Sequence, residues 1–476
     1  MHDIGTLCDA TVQQCHSERS EESDRETLRF AQGDRPVSRR HFLGTLLATA
    51  LPLAYSLWPP AARGRKNPSS TPRSPDPGVG MPLAEKARLF DRAIRSHHLS
   101  PEGILLYKRF IDRPEGAIGD APIWTGCYVG AQALRYAVTG EEEARAGARI
   151  GLQGLHFLQA VTGKSGLLCR GISQQGLPSE DAHPQEWHQG EGPLAAYFWH
   201  GDVSVDQYTG ALFGYALAYD LVDDAAARRT IVEDVAALAD HLTEHGLTIV
   251  DVDGEVTTFG HLDPSFWTED LNALLALGFL KIAHHITGEE RFAQQYRMLI
   301  ATHHYHERAV AARDLWWETF FGTNHSDNNL AFLAYYHLLR YETDPSLLSY
   351  YRRSLKRTWK VVEKEGNPLF SFVYQALTPS ALKDERALQT LSHFPLEKRN
   401  LAVQNSVRQD ICVSWLRDRH NRLQACDPVP IEERSPSTFE WKENPYRLDG
   451  GEEGKKLYTG TDYLLAYWLG RYHGLL

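Results

Sequence analysis

The chain has 476 residues, of which 42% are hydrophobic and 23% charged, so it is globular and long enough to bury a sizeable core. Its formal net charge of -11 at pH 7 argues against nucleic acid and against an anionic membrane surface as partners. Aromatic residues reach 11%, which suits both a tightly packed helical core and a sugar-binding cleft.

The N-terminal part of the chain carries a candidate export signal. Residues 1–36 are polar and unpatterned, and we exclude them from the fold as non-structural or as a mis-assigned start. Arg39 and Arg40 precede Phe42, Leu43 and an apolar, uncharged run, which resembles a twin-arginine signal. The resemblance implies a signal over residues 37–62 and export to the periplasm or the exterior; a basic membrane anchor is the alternative. Residues 63–83 are rich in Pro, Ser and Arg, which is typical of a disordered linker.

Four cysteines lie outside the excluded segment, and none is part of a C-x-x-C pair: Cys127, Cys169, Cys412 and Cys426. An exported protein tolerates disulfides. Buried free thiols explain the pattern equally well, so the sequence leaves the disulfide state open.

From about residue 84 the pattern predicts one helix after another. Apolar residues recur at spacings of three and four, as at Leu212, Tyr215, Ala216 and Tyr219. An apolar helix repeatedly stops at a short polar turn, and a charged amphipathic helix follows, which indicates a helical-hairpin repeat. Residues 248–257 are the exception and predict a small β-hairpin.

This repeat resembles the (α/α)6 toroid of many carbohydrate-active enzymes, and the resemblance covers residues 84–476 as one domain. It implies an inner ring of apolar helices, an outer ring of amphipathic helices, and a substrate cleft at one end of the ring. Residues 461–470 would be the inner helix that closes the ring. An open solenoid of helical hairpins is the alternative.

Polar side chains are concentrated where predicted inner helices begin. Asp202 precedes the helix that begins after residue 204, and Asp206 lies in the first turn of that helix. Ser204 with Gln207 forms a capping box. Both aspartates could be plain caps or dipole partners. The neighbouring polar and aromatic residues favour a binding cleft instead, with Trp199, His200 and Gln207 as substrate contacts.

A second polar run, residues 323–329, opens the helix that begins near residue 330. It contains Asn324, His325, Asp327 and Asn328. Asp327 could be a simple N-cap and His325 a core histidine, but five successive hydrogen-bonding side chains exceed what capping needs.

Two further segments supply candidate sugar contacts. Trp124 and Tyr128 suit sugar stacking and core packing equally. The other segment lies before the helix at residue 274 and contributes His261, Asp263 and Trp267. The long polar loop of residues 169–188 could cover the cleft as a lid.

Glycoside hydrolysis is the chemistry that this pattern favours. It needs a proton donor and a second carboxylate across the sugar bond, and Asp206 and Asp327 are predicted to fill these roles. Asp202 would tune one of them as a like-charged neighbour.

Uronide β-elimination is the second candidate, because adjacent Asn324 and His325 are similar to the Asn-His pair of alginate-lyase-type toroids. The resemblance implies that Asn324 neutralises a carboxylate and His325 abstracts a proton. A non-catalytic module that binds a glycan or a protein is the third. No cofactor is expected, and no transition-metal spacing appears, although aspartates could hold a structural calcium ion.

Overall fold

The computed structural model describes residues 76–112, 116–117, 119–174, 183–265, 270–313, 322–379 and 383–476. All of them belong to one compact unit, Ser74–Leu476. The predicted segments 1–36 and 37–62, and most of the predicted linker, lie outside the described residues.

Thirteen α-helices occur in the described part of the chain. Six line the inside of the molecule: α2 (Ala121–Thr139), α4 (Val205–Leu221), α6 (Asp270–Thr287), α9 (His325–Tyr341), α11 (Pro368–Leu377) and α13 (Thr461–Tyr472). Six others alternate with them along the chain: α1 (Leu83–His97), α3 (Glu142–Ala160), α5 (Ala225–Glu244), α7 (Glu290–His303), α10 (Pro345–Val362) and α12 (Glu385–His393). The remaining helix, α8 (Tyr305–Arg308), is a single turn.

The inner helices form a closed ring. Each packs against the next in the order α2, α4, α6, α9, α11 and α13, and α13 packs back against α2. The predicted (α/α)6 toroid is therefore confirmed, and the open solenoid is not. Asp462 in the first turn of α13 forms a buried ion pair with Lys398 and accepts a hydrogen bond from the Glu440 N–H at 2.9 Å, which fixes the closing helix.

The pattern of apolar residues in a helix explains whether that helix lies in the inner or the outer ring. Nearly every residue of α4 is buried, as expected of a helix that is apolar on all sides. Helix α10 buries only one stripe, at spacings of three and four: Tyr351, Ser354, Leu355, Thr358, Trp359 and Val362. Aspartate side chains cap the start of outer helices, as Asp224 does for α5 and Asp344 for α10.

Helices α2 and α4 approach most closely through glycine. A Cβ atom added to Gly126 would lie 1.9 Å from the Gly210 carbonyl oxygen, and one added to Gly214 would lie 2.5 Å from the Gly126 carbonyl oxygen. The two backbones are in direct contact, so the first turns of these helices are held at a defined distance from each other.

The described part of the chain also contains short β-strands between its helices. The predicted hairpin is confirmed as β6 (Thr248–Val250) and β7 (Val256–His261). One sheet has the order β2-β1-β11-β8 and another the order β3-β5-β4, while β9 and β10 form a hairpin. Their bounds are β1 (Lys108–Phe110), β2 (Gly116–Ala117), β3 (Gly171–Ser173), β4 (Trp187–Gln189), β5 (Phe198–His200), β8 (Arg399–Val403), β9 (Val413–Arg417), β10 (Leu423–Ala425) and β11 (Gly450–Tyr458).

The structure also decides the cysteine question. Cys412 and Cys426 form a disulfide, whereas Cys127 and Cys169 are buried free thiols. None of the described helices is long and apolar enough to cross a membrane.

Candidate active site

The first turns of α2, α4 and α9 meet at one end of the ring, which we call the mouth. Asp120 occupies the N-cap position of α2, Asp206 lies in the first turn of α4, and Asp327 lies in the first turn of α9. Burial raises the pKa of Asp206, and the negative charges of Asp120 and Asp327 raise it further. Three helix N-termini therefore bring three carboxylates close enough for their charges to interact.

Asp206 has the most perturbed environment at the mouth. Removal from bulk water, followed by the negative charges of Asp120 and Asp327, raises the pKa of Asp206 to about 7, against the smaller opposing effects of Lys442 and Arg170. No hydrogen bond to its carboxylate is formed within the described part of the chain. A half-buried carboxylic acid of this kind keeps its proton near neutral pH and can give it up to a substrate.

Asp120 has the opposite character. Its backbone is left-handed, with φ of 58°, and its Oδ1 accepts hydrogen bonds from Arg170 Nη2 and from Gln207 Nε2, both at 2.7 Å. Burial raises the pKa of Asp120, but the positive charges of Arg170 and Lys442 outweigh it and hold the pKa below its ordinary value. Asp120 is therefore an ionised neighbour of a protonated Asp206.

Gln207 links Asp120 to the start of α4. Its Oε1 accepts from the Ser204 N–H at 2.7 Å, which completes the predicted capping box, while its Nε2 donates to Asp120. The side chain is only 1% exposed. The Gln207 side chain therefore positions Asp120 and is not accessible to a substrate.

Asp327 is held by a buried arginine. Arg313 Nη1 lies 2.9 Å from Asp327 Oδ2, and its Nη2 donates to the Asn324 carbonyl at 3.0 Å. The Asp327 carboxylate is thus at the mouth, as predicted, but it is ion-paired.

The side chains of His325 and Asn324 are both engaged by neighbouring groups of the protein. His325 Nε2 lies 2.9 Å from Glu365 Oε1, and the two side chains are 4% and 3% exposed. The Asn324 side chain caps α9 by accepting from the Ser326 N–H at 3.2 Å. Asn328 is fully buried, and neither of its side-chain polar atoms has a partner in the described part of the structure.

Asp202 connects two loops. Its Oδ1 accepts from the Thr258 N–H and its own N–H donates to Asp251 Oδ2, each at 2.7 Å. These bonds tie the start of α4 to the β6–β7 hairpin. The like-charged neighbours with the largest effect on the pKa of Asp206 are Asp120 and Asp327.

Several predicted sugar contacts lie in the core. Trp124 is 3% exposed and stacks on Phe439 with ring centroids 4.8 Å apart, and Lys442 Nζ lies 5.1 Å from the Trp124 ring centroid. Tyr128 and Trp199 are also buried. These three side chains therefore belong to the core and not to an accessible surface.

The other predicted contacts are partly or fully accessible. His200 stacks on Trp187 with centroids 4.9 Å apart and bonds Glu186 Oε2 at 2.9 Å. The side chain of His261 is 53% exposed and lies 3.3 Å from Asp263. Trp267 lies outside the described residues.

Sequence reasoning missed Asp120, Lys442 and Arg313, and assigned Arg170 only to a lid. The signal for Asp120 was available, since an aspartate directly before Ala121-Pro122 marks a helix start, with Asp at the N-cap position and Pro in the first turn. Lys442 had no such signal, because it lies in a segment without helical periodicity. Among the described residues, no group of three or more His, Cys, Asp or Glu side chains is placed to hold a metal ion.

No protein-family model matches the sequence, and no curated protein sequence matches it significantly. The structure is similar to a GH76 α-mannanase of Bacteroides thetaiotaomicron, with a TM-score of 0.43, 10% identity, and coverage of 82% of this chain and 94% of that one. It is also similar to an unsaturated glucuronyl hydrolase specific for heparin, with a TM-score of 0.42, 12% identity, and coverage of 82% and 96%. A polysaccharide lyase matches with a TM-score of 0.39, 12% identity, and coverage of 83% and 97%.

Proposed function

We propose that the protein is a glycoside hydrolase in which Asp206 donates a proton to the leaving glycosidic oxygen. The observation that supports this role is that the pKa values of two neighbouring acids are shifted in opposite directions. The pKa of Asp206 is raised to about 7, and that of Asp120 is lowered. Pairs of titratable groups whose pKa values are driven apart are the usual arrangement of a general acid and its ionised partner.

Asp120 replaces Asp327 as the proposed second carboxylate. Asp327 is engaged by the buried Arg313, whereas Asp120 is 35% exposed and keeps one oxygen, Oδ2, outside the bonds to Arg170 and Gln207. Asp327 contributes by its charge, which helps Asp206 to keep its proton.

The geometry supports hydrolysis over β-elimination through Asn324 and His325. A base must reach the proton that it abstracts, and His325 is buried against Glu365. The Asn324 side chain is committed to the cap of α9.

A panel of glycans, assayed for new reducing ends and for the absorbance of unsaturated uronides, tests the proposal. Reducing ends without that absorbance are the expected result, and Asp206→Asn should lower kcat by about 100- to 10,000-fold. Glu233→Gln, an exposed acid on the outer helix α5, is the matched control and should leave activity unchanged. Unsaturated products, or full activity in Asp206→Asn, would refute this mechanism.

We also propose that the chain is exported by the twin-arginine route. The arginine pair at Arg39 and Arg40 supports this, as does the Cys412–Cys426 disulfide, because disulfides persist in oxidising compartments. Replacing both arginines by lysine should leave the protein in the cytoplasm in a fractionation experiment. The same replacement of Arg63 and Arg65 in the linker is the control.

A further inference from the structure

The β9–β10 hairpin displays the most exposed large apolar side chain among the described residues. Trp415 on β9 is 88% exposed. The two strands pair antiparallel, and the Cys412–Cys426 disulfide joins their outer ends. The hairpin is thus a cross-linked ribbon that holds an indole ring out in water, which costs solvation free energy unless a partner covers the ring.

The ribbon is anchored at the mouth on both of its sides. A Cβ atom added to Gly322 would lie 2.9 Å from the backbone nitrogen of Arg419 in the hairpin turn, and Gly322 comes two residues before Asn324, the cap of α9. On the other strand, the Ala425 N–H donates to the Tyr446 carbonyl at 2.7 Å. Tyr446 follows shortly after Lys442, whose charge acts on Asp206 and Asp120. The ribbon is therefore attached to the two segments that lead to Asn324 and follow Lys442.

The chemistry of the ribbon combines an apolar ring with positive charge. Side chains alternate along a strand, so Val413, Trp415 and Arg417 share one face of β9. Arg417 and Arg419 are exposed, and neither pairs with a carboxylate in the described part of the chain. An exposed indole on the same ribbon as two exposed guanidinium groups suits a ligand that has apolar ring faces and negative charges.

We propose that this ribbon is a platform for an acidic polysaccharide chain, which stacks on Trp415 and pairs with Arg417 and Arg419 while one end of the chain occupies the mouth. The inference rests on the proposed function, because it takes the occupant of the mouth to be a glycan. It adds that the substrate is a polymer longer than the cleft and carries carboxylate or sulfate groups, although the protein has a net charge of -11. The ribbon acts by binding and takes no part in bond cleavage.

Native affinity electrophoresis tests this platform. Full-length protein carrying Asp206→Asn, so that the polymer is not consumed, is run through gels containing polygalacturonate, heparin or neutral glucomannan. We expect retardation by at least one acidic polymer and little by glucomannan, with about a tenfold or greater loss of affinity in Trp415→Ala. Arg417→Gln with Arg419→Gln should lose affinity and salt sensitivity together.

Matched variants separate this effect from folding. Arg352→Gln with Arg357→Gln removes two exposed charges from the outer helix α10 and should bind as before, and Trp415→Phe should retain part of the affinity. Thermal unfolding of all variants should be nearly unchanged, because the altered side chains are exposed.

Equal retardation of Trp415→Ala and the parent protein, or no retardation by either acidic polymer, would overturn the platform. Stronger binding to glucomannan would overturn the charge complementarity. These outcomes do not depend on catalysis, so a failure of Asp206 as the acid would appear separately, as hydrolysis that survives Asp206→Asn.

Discussion

Burial makes the largest contribution to the raised pKa of Asp206, and charged side chains adjust it. Negative Asp120 and Asp327 raise the pKa further, whereas positive Lys442 lowers it. A general acid works only in its protonated form, so kcat/KM should fall as the pH rises through about 7.

Two opposite substitutions test this dependence. Asp327→Asn removes a negative charge and should move the alkaline limb of the pH profile down by about 0.5–1 pH unit, while Lys442→Gln should move it up by a similar amount. Lys356→Gln on an outer helix is the control and should leave the limb in place. Shifts of the same sign in both variants would contradict an electrostatically tuned acid.

The same carboxyl should also cost stability. Because its pKa is raised in the folded state, the native protein binds more protons than the unfolded chain between about pH 4 and 7, and stability is lost as the pH rises through this window. Asp206→Asn should therefore stabilise the protein at pH 8, by about 1–3 kcal/mol, and have little effect at pH 4. Urea denaturation at both pH values checks this, and equal stabilisation at both would contradict it.

At the scale of helices, the glycine contact between α2 and α4 sets the spacing of Asp120 and Asp206. Gly126→Ala should destabilise the fold by about 3 kcal/mol or more, because the new Cβ would meet a backbone carbonyl at 1.9 Å. In Gly278→Ala on α6 the nearest atom is 3.7 Å away, so this matched helical variant should be neutral or stabilising by about 0.5–1 kcal/mol. Denaturant unfolding of both distinguishes packing from helix propensity.

The elements differ in how well the sequence predicted them. Inner helices and their caps follow from local patterns, since apolar periodicity and N-cap residues act within a few turns. Strands β8 and β11 were not predicted, because their pairing depends on distant parts of the chain: β11 pairs with β1, more than three hundred residues earlier. The β9–β10 hairpin is local, but its strands of five and three residues are too short for a clear alternation. The convergence of Asp120 with Asp206 likewise depends on the packing of α2 against α4, which no local pattern encodes.

The ring as a whole depends on its last helix. Helix α13 fills the gap between α11 and α2, and most of its side chains are buried. A protein truncated after residue 460 should lose cooperative unfolding and expose apolar surface, as measured by calorimetry and by ANS binding. Truncation after residue 473 keeps α13 intact and is the control; a compact, cooperative 1–460 fragment would show that the ring needs no closure.

Ring closure also constrains how the protein is made. The helix that completes the ring is made more than three hundred residues after its partner α2, which is therefore available on the order of half a minute earlier. During that interval α2 exposes an apolar flank that no later-formed neighbour has yet covered, and long-range closure of this kind is slow. Newly made chains should therefore depend on chaperones that bind this flank until α13 has been made.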